Sequence, residues 1–248
     1  MGKIVAIGGG ENGHGKTEYE TAPFDKEIIR LTGKESPSFL FIGLANTYPD
    51  YYFEVMDGIY NGLYGCKTDY LRYSEIKDKN LTGSKIKNAD IIYVGGGNTY
   101  KLMRLLKIYG IDKMLSEAYN EDKVLCGVSA GGICWCDFGN SDSRAISSNS
   151  SGIIRVSGLG FIKVLFAPHI IKEPERVESV KQMMKRTYKI PAVQLDNAAL
   201  EIIDNKYRIL SLENNAVAEK CYWKNGKYIV ENIMSNEFRS VEELYSRK

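Results

Sequence analysis

The sequence predicts an α/β protein with a three-layer, doubly wound, mostly parallel sheet and a C-terminal antiparallel extension. Two observations predict the parallel part: short apolar runs end in glycine or turn residues, and longer amphipathic stretches separate them. A third observation, a series of short strand-like segments in the last third of the chain, predicts the extension. The 248 residues suffice for one large α/β domain, and we expect residues 1–248 to form it.

Central strands are predicted where apolar residues follow one another, because a strand buried on both faces needs no polar side. They are residues 4–7, 39–42, 91–94, 124–125 and 164–166. Helices are predicted where apolar residues recur at helical spacing, at residues 25–32, 52–63, 100–108, 112–119 and 175–186. The C-terminal strands are residues 199–203, 207–210, 216–223 and 227–230, with Asn225-Gly226 as a hairpin turn.

Composition and charge narrow the functional classes. The chain is 44% hydrophobic and 26% charged with a net charge of +2, so we expect neither nucleic acid nor an anionic membrane as a partner. No apolar run reaches the roughly 20 residues that span a bilayer, and residues 1–8 run straight into a strand, so we expect no signal peptide. The five cysteines lack the spacing of a disulfide framework or a zinc site. We therefore expect a cytoplasmic protein with reduced thiols and no metal or cofactor. The sequence leaves the oligomeric state open, and a homodimer is one alternative.

The segment Gly127-Val-Ser-Ala-Gly131 has the pattern G-x-S-x-G, between a predicted strand and an apolar segment that can open a helix. A serine on so tight a turn is strained, with its hydroxyl exposed beyond the end of the sheet, and the glycines avoid collisions with neighbouring backbone. Ser129 is therefore predicted to be a catalytic nucleophile. The alternative is a sharp turn in which serine is simply a small residue.

A serine nucleophile needs a base within hydrogen-bond reach, and the sequence has only two histidines. His169 follows an apolar strand, at a position where catalytic groups gather in open α/β sheets, and Pro168 restricts the backbone before it. His14 lies in a glycine-rich loop. We predict that His169 is the general base.

The segment Gly95-Gly-Gly97 lies between a predicted strand and a predicted helix. Consecutive glycines expose backbone N–H groups near a helix N-terminus, which suits a developing oxyanion. The N–H groups of Gly97 and Ala130 are the predicted donors. The alternative is a tight turn capped by Asn98 or Thr99, and both descriptions can hold together.

The acid that orients the histidine is less sharply indicated. Asp196, which precedes a predicted strand, is the prediction, and Asp137, Asp142 and Glu201 are further candidates. An isolated aspartate is more often a turn or cap residue.

The N-terminal glycine cluster matches two nucleotide-binding patterns, the phosphate loop at residues 10–17 and the dinucleotide fingerprint at residues 8–13. Both need a helix to begin inside the cluster, at Lys16-Thr17 or near Gly13, and Pro23 interrupts such a helix. A phosphate loop also needs an aspartate after a second strand, where this sequence has glycine. We favour a loop that serves backbone geometry or lines an active site, with a phosphate-loop nucleotide hydrolase as an alternative.

Three segments in this order, Gly95-Gly-Gly-Asn-Thr99, Gly127-Val-Ser-Ala-Gly131 and Ala167-Pro-His169, resemble the peptidase E and cyanophycinase family of serine peptidases. The resemblance implies a class I glutamine amidotransferase-like fold, with serine where amidotransferases have cysteine. It also implies cleavage of peptide bonds next to aspartyl residues: in short N-terminal-Asp peptides for peptidase E, and in an arginine–aspartate polymer for cyanophycinase. Ser129 matches the family's nucleophile and His169 its base.

By the same resemblance, Asp196 falls where the family has an acidic residue, often glutamate, and Asp142 is the alternative orienting acid. A substrate carboxylate would pair with a guanidinium; Arg144 and Arg176 are the candidates, although each can instead be a solvated surface residue. Together with Asn98 and Asp142 they are the predicted substrate-binding residues. The expected reaction is metal-independent hydrolysis of short aspartyl peptides. An α/β-hydrolase-like esterase is a second alternative. It is disfavoured because the acid of an α/β-hydrolase precedes the histidine in the chain, whereas Asp196 follows His169 in this sequence.

Overall fold

The computed structural model describes residues 2–13, 17–144, 152–187, 189–212 and 215–247. In these ranges the strands form two sheets. In spatial order, the first sheet contains β14 (Arg239–Ser240), β11 (Lys206–Ser211), β10 (Ala198–Ile203), β1 (Lys3–Ile7), β5 (Val124–Val128), β4 (Ile91–Val94), β2 (Ser38–Ile42) and β3 (Lys67–Leu71). The second sheet contains β13 (Lys227–Asn232), β12 (Val217–Lys224), β9 (Ala192–Asp196), β8 (Ile162–Pro168), β6 (Cys136–Ser141) and β7 (Ile154–Ser157).

Helices pack against the sheets and connect their strands. They are α1 (Ala22–Leu31), α2 (Pro49–Asp57, continued by a π-helical segment at Gly58–Leu63), α3 (Lys79–Asn88), α4 (Thr99–Ile108), α5 (Ile111–Asn120), α6 (Ala130–Ile133), α7 (Glu175–Met184) and α8 (Val241–Tyr245). Prolines occupy the first turn of α1 and α2, where a missing N–H group leaves no helical bond unmade. Asp78 and Asn98 cap α3 and α4 through their side chains. No helix in the described ranges has the length and apolar character that crossing a membrane requires.

Alternate residues of the central strands enter different parts of the core. In β1, Ile4 and Ala6 lie in a cluster shared by the first sheet, helices α3–α5 and the second sheet, whereas Val5 and Ile7 lie in a cluster with α1 and α2. These four side chains are fully buried. The unbroken apolar runs in the sequence thus reflect strands covered on both faces.

The predicted α/β class is confirmed, with a parallel centre and antiparallel C-terminal strands. Strands β1, β5, β4, β2 and β3 pair in parallel, and β10 to β13 add antiparallel neighbours. The strands divide between two sheets, however, because the chain leaves the first sheet at α6 and starts the second with β6. Five strands in the described ranges were not predicted from the sequence. Strands β3, β6, β7 and β9 carry polar residues among their apolar ones, and β14 has only two residues.

One carboxylate is buried beside α1. Asp25 is 1% exposed and accepts hydrogen bonds from the hydroxyls of Tyr60 (2.6 Å), Tyr19 (2.9 Å) and Thr21 (3.1 Å). Burial raises the pKa of Asp25 to about 6, although these three hydrogen bonds act to lower it. The group is therefore protonated in the folded protein at a pH where it would be ionised in the unfolded chain.

We expect the free energy of unfolding to fall as the pH rises through this range. A folded-state pKa above the unfolded one stabilises the protein at low pH, and this contribution is lost as the pH passes about 6. At about 1.4 kcal/mol per pKa unit, the loss from Asp25 is about 3 kcal/mol. Urea unfolding of the wild type and Asp25→Asn between about pH 4 and pH 7 measures it. The variant should lack this part of the pH dependence, and parallel curves for the two proteins would contradict the prediction.

Candidate active site

Ser129 lies on the predicted tight turn, after β5 and at the N-cap of α6. Its backbone has φ 55° and ψ −113°, which lies outside the regions that residues with side chains normally occupy. The flanking glycines allow close contact with β4: a Cβ at Gly131 would lie 1.9 Å from the carbonyl oxygen of Val94, and one at Gly127 would lie 2.5 Å from it. The turn can therefore form only with glycine at both positions.

The carboxyl end of β1 brings Ser129 and His169 together. The N–H of Ser129 donates to the carbonyl of Ile7 at 3.0 Å, and the N–H of His169 donates to the carbonyl of Gly8 at 2.8 Å. Because adjacent Cα atoms are about 3.8 Å apart, these two neighbouring carbonyls place the backbones of Ser129 and His169 next to the carboxyl end of β1. His169 also has a positive φ, 59°. Within the described ranges, neither the Ser129 hydroxyl nor the His169 ring has a hydrogen-bond partner.

The glycines that follow β1 allow a second close approach. A Cβ at Gly9 would lie 2.1 Å from a carboxylate oxygen of Asp196, and one at Gly8 would lie 2.3 Å from the Cβ of Leu195. The N-terminal glycine cluster thus serves backbone packing at the site, as the sequence analysis favours. Residues 14–16, which include His14 and Lys16 of the phosphate-loop pattern, lie outside the described residues. The next helix, α1, begins at Ala22 rather than at Thr17.

Asp196 holds the turn that follows His169. Its Oδ2 accepts hydrogen bonds from the N–H groups of Ile171 (2.8 Å) and Lys172 (3.4 Å), and its Oδ1 accepts one from the N–H of Asn197 (3.0 Å). The side chain is buried, with 1% exposure. Asp196 is therefore next to the predicted base, and it contacts the backbone of the turn rather than the imidazole.

None of the other candidate acids, Asp137, Glu201 and Asp142, has a hydrogen bond to the His169 ring within the described residues. Asp137 is at the amino end of β6, and since β6 runs parallel to β8, it lies at the sheet end opposite His169. That position makes the Asp137 candidate wrong. Glu201 is on β10 and pairs with Arg208 at 2.7 Å. Asp142 lies just past β6, 3.6 Å from Arg176.

The surroundings of His169 favour its neutral form. Burial lowers the pKa of His169 most strongly, and the positive charges of Arg176 and, more weakly, Lys172 lower it further. The carboxylates of Asp196 and Glu173 oppose this effect. The net pKa lies below the usual 6.5, so the imidazole is unprotonated at neutral pH and can accept a proton.

The loop after β4 lies against the serine turn. A Cβ at Gly96 would lie 3.5 Å from the Cβ of Ser129, and Gly97 has a φ of 133° that L side chains rarely adopt. Within the described ranges, the N–H groups of Gly97 and Ala130 have no acceptor, whereas the backbone of Gly96 hydrogen-bonds the Tyr52 hydroxyl. The two predicted donors are therefore available near Ser129.

Asn98 joins this loop to the segment after β6. Its Oδ1 accepts from the N–H of Lys101 at 2.9 Å, which caps α4, and its Nδ2 donates to the carbonyl of Ser143 at 3.1 Å. The cap predicted as the alternative is thus present. The side chain is 8% exposed, so Asn98 stabilises the loop through these hydrogen bonds and presents little surface to a substrate.

Sequence reasoning missed the polar contacts that brace the loop. The Nδ2 of Asn12 donates to the Tyr52 hydroxyl at 2.8 Å. The hydroxyl of Ser141 donates to that of Thr99 at 3.0 Å and lies 2.7 Å from that of Ser143. The run of small polar residues after the G-x-S-x-G turn was the available signal, but only the fold shows that these residues are buried.

The two candidate arginines, Arg144 and Arg176, differ in their exposure to solvent. Arg176 is 2% exposed, and its guanidinium contacts Glu173, Asn140 and Asp142. The alternative that it is a solvated surface residue is therefore wrong. Arg144 is exposed and directly follows Ser143.

Comparison with known proteins identifies the family of this chain. Residues 4–210 match the profile of Peptidase family S51. The uncharacterized peptidase YgaJ of Bacillus subtilis (strain 168) is 30% identical over 220 residues, which cover 88% of this chain and 91% of that protein.

Two crystal structures share the fold. A peptidase from an acI-B1 Actinobacterium has a TM-score of 0.70 at 18% identity, with 96% of each chain covered. A putative peptidase E protein from Listeria monocytogenes EGD-e has a TM-score of 0.58 at 20% identity, with 86% of this chain and 100% of that chain covered. Since the family profile spans most of the sequence and YgaJ is similar over nearly its full length, this chain belongs to Peptidase family S51 and is a serine-type peptidase.

Proposed function

We propose that this protein hydrolyses short aspartyl peptides, with Ser129 as nucleophile, His169 as general base and the N–H groups of Gly97 and Ala130 as the oxyanion hole. The observation that carries the proposal is the shared attachment of Ser129 and His169 to the adjacent carbonyls of Ile7 and Gly8. Both residues have positive φ, and strained backbone of this kind clusters at functional sites.

The reaction follows the order of acyl transfer. His169 takes the proton of the Ser129 hydroxyl while the serine oxygen attacks the scissile carbonyl carbon. The negative charge that develops on the carbonyl oxygen is held by the N–H groups of Gly97 and Ala130. His169 then gives its proton to the leaving amine, the C–N bond breaks, and an acyl-enzyme remains. Water that loses a proton to His169 attacks the ester, and Ser129 is released with its proton restored.

The proposed role of Asp196 is to hold the turn that carries His169. Its two oxygens accept three backbone N–H groups at the start of that turn and just after β9. Its negative charge also raises the pKa of His169. It can therefore stabilise the imidazolium that forms during catalysis without a direct hydrogen bond to the ring.

Asp196→Asn should separate these effects. An amide NH₂ would face backbone donors that the carboxylate accepted, which should lower the free energy of unfolding by about 1–3 kcal/mol. Loss of the negative charge lowers the pKa of His169, so the acidic limb of the kcat/KM profile should move to lower pH. The pH–rate profile and urea unfolding measure both effects, with exposed Asp50→Asn as the control. An acidic limb that stays in place would contradict this role.

The aspartyl carboxylate of the substrate would pair with Arg144. This residue is exposed and directly follows Ser143. The carbonyl of Ser143 accepts a hydrogen bond from Asn98, which lies next to the proposed oxyanion loop. A guanidinium grips a carboxylate through two parallel hydrogen bonds. The support for an acidic substrate also includes the resemblance to peptidase E.

The test is a panel of Asp-X, isoaspartyl, Asn-X and Leu-X dipeptides with short acyl esters as comparators. We expect Asp-X dipeptides to be hydrolysed best. Arg144→Gln should raise the KM for Asp-X by roughly 10- to 100-fold, the value of a charged hydrogen bond, and leave Asn-X unchanged. Equal rates for Asp-X and Asn-X would overturn the substrate assignment, and preferred turnover of esters would favour an esterase.

A further inference from the structure

Arg176, the second residue of α7, is a buried cation at the edge of the proposed site. Its Nε and Nη2 each lie 2.8 Å from Oε2 of Glu173. Its Nη1 donates to the backbone carbonyl of Asn140 at 2.7 Å and to that residue's Oδ1 at 3.2 Å. Its Nη2 lies 3.6 Å from a carboxylate oxygen of Asp142. The side chain is 2% exposed, so these groups occupy its donors.

These partners come from two separate segments. Asn140 and Asp142 lie at the carboxyl end of β6, the strand that follows the serine turn and α6. Glu173 belongs to the turn after His169, and its N–H donates to the carbonyl of His169 at 2.9 Å. A planar guanidinium fixes the separation of the groups it binds more strictly than a flexible ammonium does. Arg176 therefore sets the distance between the chain after Ser129 and the turn that carries His169.

We propose that Arg176 is a positioning residue that fixes His169 relative to Ser129, and that it does not bind the substrate carboxylate. The proposal rests on the proposed function, since it assigns Arg176 to the same site. Its geometric basis is the full engagement of a buried guanidinium by one turn and one strand end. A substrate carboxylate would have to displace Glu173 or Asn140 to reach it.

The charges around His169 make the proposal measurable. The groups that act on its ring are Arg176 from α7, Asp196 from β9, and Lys172 and Glu173 from the turn. Arg176 lowers the pKa of His169, whereas the two carboxylates raise it. Removal of the guanidinium also leaves the Glu173 carboxylate unneutralised, so both changes raise the pKa of His169.

The experiment compares Arg176→Met, which keeps the stem without the charge, with Arg176→Lys, which keeps the charge without the planar fork. Both should lower kcat by roughly 10- to 100-fold, as expected for a misplaced catalytic group, and by the same factor for Asp-X and Leu-X dipeptides. Only Arg176→Met should raise the pKa of His169, by about one unit. Exposed Arg186→Met, near the end of α7, is the matched control and should change neither quantity.

The pKa of His169 can be measured by NMR titration of its ring without any substrate, because the chain has only two histidines and His14→Gln assigns the signals. This readout separates failure of the present proposal from failure of the proposed function. A loss confined to the KM for Asp-X would show that Arg176 binds substrate and would overturn the proposal, as would an unchanged His169 pKa in Arg176→Met. If Arg176→Met does not fold, Glu173→Gln tests the same contact: it should lower the pKa of His169 and lower kcat, and no change in either would also overturn the proposal.

Discussion

Ser129→Ala is expected to lower kcat/KM for dipeptides by at least about 10⁴-fold, the loss typical of a removed serine nucleophile. Without the hydroxyl no acyl-enzyme can form, and only binding and the amides of Gly97 and Ala130 remain to accelerate attack by water. The backbone of the turn should be unaffected, because its φ of 55° is set by the contacts of Gly127 and Gly131 with Val94. Initial rates over a range of enzyme concentrations measure the loss.

The control is Ser157→Ala, at an exposed position on β7, which should keep full activity. Both variants should have the melting temperature of the wild type within a few degrees. A serine-directed phosphonate should label the wild type once and Ser129→Ala not at all. Hydrolysis that survives in a homogeneous, unlabelled Ser129→Ala preparation would remove the proposed nucleophile and leave the family assignment in place.

The serine turn was predictable because its causes are local. A strand, two glycines and a small helix occur within ten residues, and the pattern determines where the hydroxyl must lie. The sequence predicts only that His169 follows the carboxyl end of an apolar strand. That strand, β8, lies in the second sheet, and the hydrogen bond to the Gly8 carbonyl brings His169 to the end of β1. The serine turn required no knowledge of which strands are neighbours, whereas the approach of His169 to Ser129 depends on how the two sheets meet.

The remaining features of the site depend on contacts between distant segments. Arg176 can be buried because Asn140, 36 residues earlier, offers two oxygens to it, and the carboxylates of Glu173 and Asp142 contact it as well. An isolated aspartate such as Asp196 is typical of a turn in its own segment. Asp196 does accept hydrogen bonds from a turn, but the donors are Ile171 and Lys172, which lie about 25 residues earlier in the chain. Hydropathy patterns also fail to predict β6 and β9, because these strands contain polar residues such as Asn140 and Gln194. These side chains can be buried because their hydrogen-bond partners lie on distant segments of the chain.

Gly131→Ala is expected to have the largest effect on folding. A Cβ at this position would lie 1.9 Å from the carbonyl oxygen and 2.7 Å from the carbonyl carbon of Val94, which are backbone atoms of the last residue of β4. Either β4 or the serine turn must move, and overpacking of this severity should cost about 3–5 kcal/mol of unfolding free energy. The displaced segment leads into the Gly95-Gly-Gly97 loop, so activity should fall even in molecules that remain folded.

Gly58→Ala is the matched control, because a Cβ there would meet nothing within 4 Å and the residue has a helical φ of −56°. Alanine at this site should leave stability unchanged or raise it by about 0.5–1 kcal/mol, since it restricts the unfolded chain. Urea unfolding of both variants compares the same chemical change in a closed and an open position. If Gly131→Ala were as stable and as active as Gly58→Ala, the close contact between the serine turn and β4 could not exist, and the strained geometry of Ser129 would lose its cause.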